Sequence, residues 1–534
     1  MRSGSVTIRD IAWYYGTHYG TIPMMTLEPS YSAAQQLCLG DLLINAIKRY
    51  GERTALVTPL RSLTFAQLEA ESTALAASLR RQGIAKGDSV ALHLRNCAEY
   101  VIADLAILKL GAVKIPLNEL MGVDELSFCL EHAAVRALIR HSDLPEATRR
   151  PSSLVHTLSL ASNLETPILL DGQDTEGGGS FERAQLNPGD VAVIAYTGGT
   201  TGKPKGVLHI QSTLAVNQFA HIVCGDVRSD ERMLLVTPLP HSAGYHLQAC
   251  LIQGGCAILA SKFDPASFVE TCRRHRVTWT FAVPTMIYRL LDYLQTHGQP
   301  LTDLRTFVYG AAPMSLERLE EALVVFGPVF IQIYGQTECP NFITTLSKED
   351  HLDRSLLSSC GRPVPFLGLT LHDPSDAGVG EIQVRSPYNL IEYYRNAEAT
   401  QQALVGGALR TGDLARIDDR GFVFLVDRAK DMIISGGMNV YCVEVESALR
   451  EHESVRDAAV IGMPDADWGE RVVAAITVEG AADADEIRRF ARGKLSAYKT
   501  PKEVHILPAL PLTTYGKIDK KALRAKLSSS VARA

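Results

Sequence analysis

The chain has 534 residues, too many for one ordinary core, so at least two domains are expected. Its composition, 46% hydrophobic and 21% charged, excludes a disordered or low-complexity protein. A net charge of -6 at pH 7 excludes general attraction to nucleic acid or to an anionic membrane surface, although a local basic patch stays open. The opening stretch "MRSGSVTIRDIAWYYG" has no continuous apolar run and does not read as a secretory signal. From residue 39 to 120 helix and strand alternate. "SLTFAQLEAESTALAASLRRQG" reads as a short strand and then an amphipathic helix ending near Gly83. "DSVALHLRN" reads as an alternating strand, a helix follows to Gly111, and "AVKIPLN" is strand-like again. The piece "VIADLAILKLGAV" comes nearest to a membrane span, but Asp104 and Lys109 interrupt it, so it is expected to be a helix packed on a core.

The segment 171–190, rich in Gly, Asp and Glu, is expected to be an exposed loop before an apolar strand. Further α/β units follow at "MLLVTPLP", "GCAILAS", "VTWTFAVP", "TFVYGAAP" and "VFIQIYG". Each ends in a Gly/Pro turn, where open α/β sheets place ligands. After about residue 380, short strands with tight turns are expected in "GEIQVRSP", "ALRTGDLARIDDRGFVFLVDR" and "DMIISGG". The last hundred or so residues read as one more compact α+β unit, with a boundary at "DRAKD" (427–431). The expected fold is therefore α/β: a large N-terminal domain of layered subdomains with a β-rich portion, residues 1–429, and a small α+β C-terminal domain, residues 430–534. Ten scattered cysteines include no C-x-x-C pair and no zinc-ligand spacing, which predicts reduced core thiols and a cytoplasmic location.

The densest chemistry lies in "YTGGTTGKPKG" (196–206). A Walker A loop needs G-x-x-x-x-G-K-[ST]; here Thr197 holds the first glycine's place and Pro204 follows Lys203, so that test fails. Phosphate is still the chemistry these residues suit. Gly198, Gly199 and Gly202 allow close backbone approach, Thr197, Thr200 and Thr201 add hydroxyls, and Lys203 and Lys205 add positive charge. Alone, the loop reads as readily as a surface turn.

The loop resembles the phosphate loop of the adenylate-forming enzymes, which include acyl-CoA synthetases, adenylation domains of non-ribosomal peptide synthetases, and luciferases. Seven more stretches match in the family's order: "PLPHSAG" (238–244), "VYGAAP" (308–313), "YGQTE" (334–338), "GEIQVRSP" (380–387), "LRTGD" (409–413), "DRAKDMIISGGMNV" (427–440) and "LPLTTYGKI" (510–518). The type most resembled is the AMP-dependent acid:CoA ligase. The resemblance implies ATP, Mg2+ and coenzyme A, or a carrier-protein phosphopantetheine in its place. It also implies roles. Thr197 to Lys205 would hold the β- and γ-phosphates of ATP. Ala311, Ala312 and Pro313 would border the nucleotide with Tyr334, which lies against adenine, and Gly335. Thr337 would touch a phosphate, and Glu338 would bind magnesium. Asp413 would accept from both ribose hydroxyls, with Arg428 beside the same sugar. Lys517 would enter the active site during adenylation and stabilise charge on the α-phosphate. Lys430 would be the hinge about which the small domain reorients, and Gly436 and Gly437 would leave room for the pantetheine arm.

The acid is expected between "PHSAGYH" and "YGAAP", with His241, Ser242, Gly244, Tyr245, Gly310, Ala311 and Ala312 as candidates and His241 as the gate near the reacting carboxylate. No Lys or Arg in these two stretches pairs a second carboxylate, and no acidic residue there meets an amino group. That favours a monocarboxylic small molecule with an apolar body, aryl, alicyclic or fatty. Three features depart from the family pattern: Gly198 stands where serine is usual, Gln211 where His is frequent (with His209 two residues earlier), and "NLIEYYRN" replaces a Gly-Tyr pattern. The leading expectation is an acid:CoA ligase. A stand-alone enzyme loading an acyl carrier protein is the alternative, with no carrier domain fused after Lys517, and a non-catalytic AMP or acyl-AMP sensor or an oxygenase of the luciferase kind are lesser ones. Nucleic-acid binding and a membrane span are not expected.

Overall fold

The computed structural model describes residues 36–161, 181–197, 204–298, 301–376, 378–428, 431–435, 438–465, 468–513 and 518–531. Four sheets with flanking helices make up these residues. A nine-stranded sheet has a central parallel core. In spatial order it contains Phe330–Gln336, Thr306–Gly310, Trp279–Ala282, Arg232–Leu235, Cys256–Leu259 and Thr54–Val57. A seven-stranded sheet pairs Ser89–His93 in parallel with Val113–Pro116 and Ala137–His141, and carries the antiparallel hairpin Val191–Thr197 and Lys205–Ile210. The expected α/β layers are therefore present. The β-rich portion is a five-stranded antiparallel sheet that includes Gly380–Arg385, Ala408–Ile417 and Val423–Arg428. A further five-stranded sheet, built from strands between Ile433 and Ile506, forms the last unit with helices Cys442–Arg450, Ala484–Lys494 and Lys520–Val531.

Local sequence explains where elements start and stop. Helix Phe65–Arg81 begins at Thr64, whose hydroxyl accepts from the Gln67 N–H while the Gln67 side chain accepts from the Thr64 N–H. That reciprocal pair satisfies two donors that a helix start otherwise leaves open. Strand Ser89–His93, expected to alternate, is instead buried from Val90 through His93, because helices cover both faces of a parallel sheet. Helix Ala98–Leu110 is buried on every side, as its apolar run suggested, and ends at Gly111 with φ +66. Its charged residues are each paired: Glu99 with Arg61, Asp104 with Lys114 and Lys109 with Glu69. No described helix is long and apolar enough to cross a membrane. All ten cysteines are free thiols.

Candidate active site

The parallel strands of the nine-stranded sheet end on one edge, and three candidate segments leave from it. Strand Arg232–Leu235 leads to His241, Thr306–Gly310 leads to Ala311–Pro313, and Phe330–Gln336 leads to Thr337 and Glu338. The geometry there admits little else. A Cβ on Gly310 would meet the Ile333 carbonyl oxygen at 2.4 Å, and one on Gly335 would meet Asn341 backbone at 2.6 Å. Ala311 follows with φ +68, in the left-handed region.

Thr337 and Glu338 form a two-residue turn, because Gln336 pairs with Cys339 at the start of strand Cys339–Leu346. Two contacts fix that turn. His209 Nε2 hydrogen-bonds the Thr337 carbonyl at 2.8 Å, and Tyr393 donates its hydroxyl to Glu338 Oε1 at 2.7 Å. Lys205 Nζ lies 4.7 Å from the centre of the Tyr393 ring, a cation–π distance. The end of the expected phosphate hairpin, Thr197 opposite Lys205, is thereby linked through Tyr393 to Glu338. His209 is fully buried, and desolvation pulls its pKa down to about 4, so its imidazole is a neutral donor at pH 7. Gln211, the other departure in this stretch, is buried and accepts from the Gly40 N–H at 3.0 Å.

Asp413 sits beside a β-bulge in strand Ala408–Ile417, where Gly412 has φ +71 and donates its N–H to Glu381. Oδ2 of Asp413 accepts from Tyr334 Oη and from Gln336 Nε2, both at 2.7 Å, and Oδ1 lies 3.1 Å from Arg428 Nε. Burial, and then the Asp413 charge, raise the pKa of the Tyr334 hydroxyl, which keeps it a donor. Asp413, Tyr334 and Arg428 are thus brought together. Gln336 is a partner the sequence reading did not single out.

His241 sits in the irregular helical turn Leu239–Ala243, with φ -115 and ψ -146. Its Nε2 lies 2.7 Å from Asn118 Nδ2. Asn118 Oδ1 already accepts from the Leu120 N–H, so the amide nitrogen is the donor and His241 Nε2 the acceptor. The other acid candidates divide. His241, Gly244 and Tyr245 line one cavity of about 10 Å³. Ser242 does not line it and donates to Asn341 Oδ1 at 2.7 Å. Gly310, Ala311 and Ala312 do not line that cavity. Three polar residues from elsewhere do: Tyr100, Lys114 and Gln248. Lys114 and its partner Asp104 lie outside the two stretches that flank the acid, on strand Val113–Pro116 and helix Ala98–Leu110.

Gly198, Gly199, Thr200, Thr201, Gly202, Lys203, Lys430, Gly436, Gly437 and Lys517 lie outside the described residues. Among the described residues no group of three or more His, Cys, Asp or Glu could hold a metal by itself.

A family model described as "AMP-binding enzyme" matches residues 43–394, and one described as "AMP-binding enzyme C-terminal domain" matches residues 444–517. The medium/long-chain-fatty-acid–CoA ligase FadD8 of Mycobacterium tuberculosis is 34% identical over 521 residues, covering 93% of this chain and 91% of that protein. The feruloyl-CoA synthase of Amycolatopsis sp is 35% identical over 475 residues, covering 87% and 94%. Among solved structures, the amide bond synthetase McbA from Marinactinospora thermotolerans superposes with a TM-score of 0.81 at 31% identity, covering 92% of this chain and 99% of that one. With both family models matched in order and the relatives aligned over nearly their whole length, the chain belongs to the AMP-binding (adenylate-forming) enzyme family.

Proposed function

We propose that the protein joins a carboxylic acid to coenzyme A in two steps driven by ATP. In the first, a carboxylate oxygen of the acid attacks the α-phosphorus of ATP. The bond from that phosphorus to the bridging oxygen breaks, and pyrophosphate leaves with the electron pair. In the second, the thiol of coenzyme A attacks the acyl carbon, the carbon–oxygen bond to AMP breaks, and the thiol proton is released. The single observation that carries this reading is the convergence of Glu338, Asp413, Tyr334 and the Gly310–Pro313 turn on one edge of the parallel sheet. The relation to CoA ligases supports the thiol as acceptor.

The residues suit the ligands this reading requires. Asp413 offers two carboxylate oxygens to a vicinal diol, and its present donors Tyr334 and Gln336 hold it in place. Arg428 stands beside it for the same sugar. Glu338 would hold Mg2+, since magnesium takes one or two carboxylates with phosphate oxygens and water rather than an all-protein cage. When bound, the ion neutralises phosphate charge. Thr197 to Lys205, with Thr337, would hold the outer phosphates. Ala311, Ala312, Pro313 and Gly335 would border the nucleotide. His241, fixed by Asn118, would stand at the entry of the acid's reacting end, with Gly244 and Tyr245 behind it. Lys517 would stabilise the α-phosphate oxygens during the first step.

We assign residues 1–429 to a large domain and 430–534 to a small one that reorients about Lys430 between the steps. Gly436 and Gly437 would then face the pantetheine arm. The ten free thiols suit a reducing compartment such as the cytoplasm. The test is acid-dependent ATP–pyrophosphate exchange over a panel of aryl, alicyclic and fatty acids. Product analysis with coenzyme A, a holo-carrier protein or a simple amine follows. Thioester formation with coenzyme A supports the reading. Exchange with transfer only to the carrier or the amine moves the acceptor, and absence of exchange with every acid overturns it.

A further inference from the structure

Beneath His241 the cavity floor carries charge that an apolar acid does not need. Lys114 lies on strand Val113–Pro116, and its Nζ pairs with Asp104 Oδ1 at 2.8 Å; the two side chains are 11% and 7% exposed. Asp104 lies one turn beyond Tyr100 on helix Ala98–Leu110, so both point from the same helix face. Gln248 Nε2 donates to Asp104 Oδ2 at 3.1 Å, and Gln248 Oε1 accepts from Gln218. Asp104 thus accepts an amide at Oδ2, while Oδ1 faces the Lys114 charge as an ion pair and accepts no hydrogen bond among the described residues. The donors that face the cavity are less well served. The Tyr100 hydroxyl is buried and finds no hydrogen-bond partner among the described residues. Among the same residues Lys114, with three N–H donors, meets only Asp104. An ion pair in a core is weak evidence of stabilisation, because desolving both charges opposes their attraction. An unpartnered buried hydroxyl has a definite cost. Both features are accounted for when a ligand completes them.

We propose that this floor is a specificity site for a carboxylic acid whose apolar body carries a neutral oxygen acceptor at the end remote from the reacting carboxylate, such as a ring ketone or other carbonyl. Lys114 Nζ and Tyr100 Oη donate to that oxygen. The inference rests on the acid-activating reading above and names the class of acid within it. The charge balance selects a neutral group: Lys114 is already matched by Asp104, so a second carboxylate would bury a net negative charge. The cavity as it stands holds no more than about one water, so entry of the acid requires side chains that line it to shift. His241, in an irregular turn, and Tyr245, on helix Gly244–Gln253, both line it.

The experiment compares kcat/KM for ATP–pyrophosphate exchange with matched pairs of acids, a cyclohexane-based propanoic acid and its ring-keto counterpart, and a straight-chain acid and its penultimate keto acid. The wild-type protein is expected to favour the keto member of a pair by about 10- to 100-fold, the range for a hydrogen bond to a charged donor. Tyr100→Phe removes only the hydroxyl and is expected to narrow the ratio. Lys114→Met with Asp104→Leu removes both charges together and is expected to bring it near unity. Equal or better use of the deoxy acids by the wild type overturns the proposal without any variant, while leaving acid activation itself intact. A ratio unchanged in Tyr100→Phe and in the folded double variant also overturns it. No exchange with any acid overturns the underlying reading as well.

Discussion

Glu338 and Asp413 are held by opposite means. Asp413 is surrounded by donors from three residues, Tyr334, Gln336 and Arg428, whereas the Glu338 carboxylate is steadied by the Tyr393 hydroxyl. A carboxylate with several donors keeps its orientation when one is lost; one with a single strong donor does not. Tyr393→Phe is therefore expected to raise the Mg2+ concentration needed for half-maximal pyrophosphate exchange by about 10- to 100-fold, the usual effect of losing a partner that orients a metal ligand. The check is a magnesium titration of exchange at saturating acid. An unchanged titration curve would remove Tyr393 from this role. Tyr393 was not legible as a site residue: it stands 55 positions from Glu338, in a stretch marked only by its departure from the family pattern. Glu338 and Asp413 were legible because each sits inside a short motif with its turn. Lys114 and Asn118 were not, since their importance comes from contacts with a helix and with a residue 123 positions away.

Elements were easier to read than contacts, for a physical reason. The strands at 232–235, 256–259, 279–282, 306–310 and 330–336 are short apolar runs ended by Gly or Pro, and those signals are local. Strand Cys339–Leu346 escaped notice because it follows Glu338 after a Thr-Glu turn, without the Gly or Asn that usually marks a tight hairpin. The alternation in strand Ser89–His93 does not predict its burial, because a parallel sheet covered on both faces hides its polar positions too. The start of helix Phe65–Arg81 shows local chemistry acting as written: Thr64 and Gln67 cap it reciprocally. Thr64→Ala is expected to lower unfolding free energy by about 1 kcal/mol. Urea unfolding measures it, and pyrophosphate exchange should be unaltered because the cap lies outside the proposed site. Loss of exchange with no loss of stability would contradict this assignment.

At the scale of the whole molecule, the protein buries neutral imidazoles. Burial, opposed only in part by hydrogen bonds, lowers the pKa of His93, His209, His221 and His351 to about 4 from 6.5, and burial with the neighbouring His221 lowers that of His246 well below its ordinary value. Between those limits the unfolded chain binds protons that the folded chain refuses. Their contribution to stability is therefore complete above pH 6.5 and is lost as pH falls from 6.5 towards 4. The urea midpoint is expected to be level with respect to these groups above pH 7 and to drop steeply below 6.5; a midpoint unchanged from pH 7 to 5 would show that the imidazoles are solvated. The same scale holds the proposed division of labour between a large domain that binds the nucleotide and a small one that delivers Lys517. A lysine at the α-phosphate matters while pentavalent charge develops and is not needed when a thiol displaces AMP. The most direct measurement is made on Lys517→Ala, with acid-dependent ATP–pyrophosphate exchange and thioester formation from supplied acyl-adenylate and coenzyme A followed side by side. The account requires exchange to fall by about 100- to 1,000-fold while thioester formation keeps most of its rate; equal loss of both, or loss of neither, would contradict it.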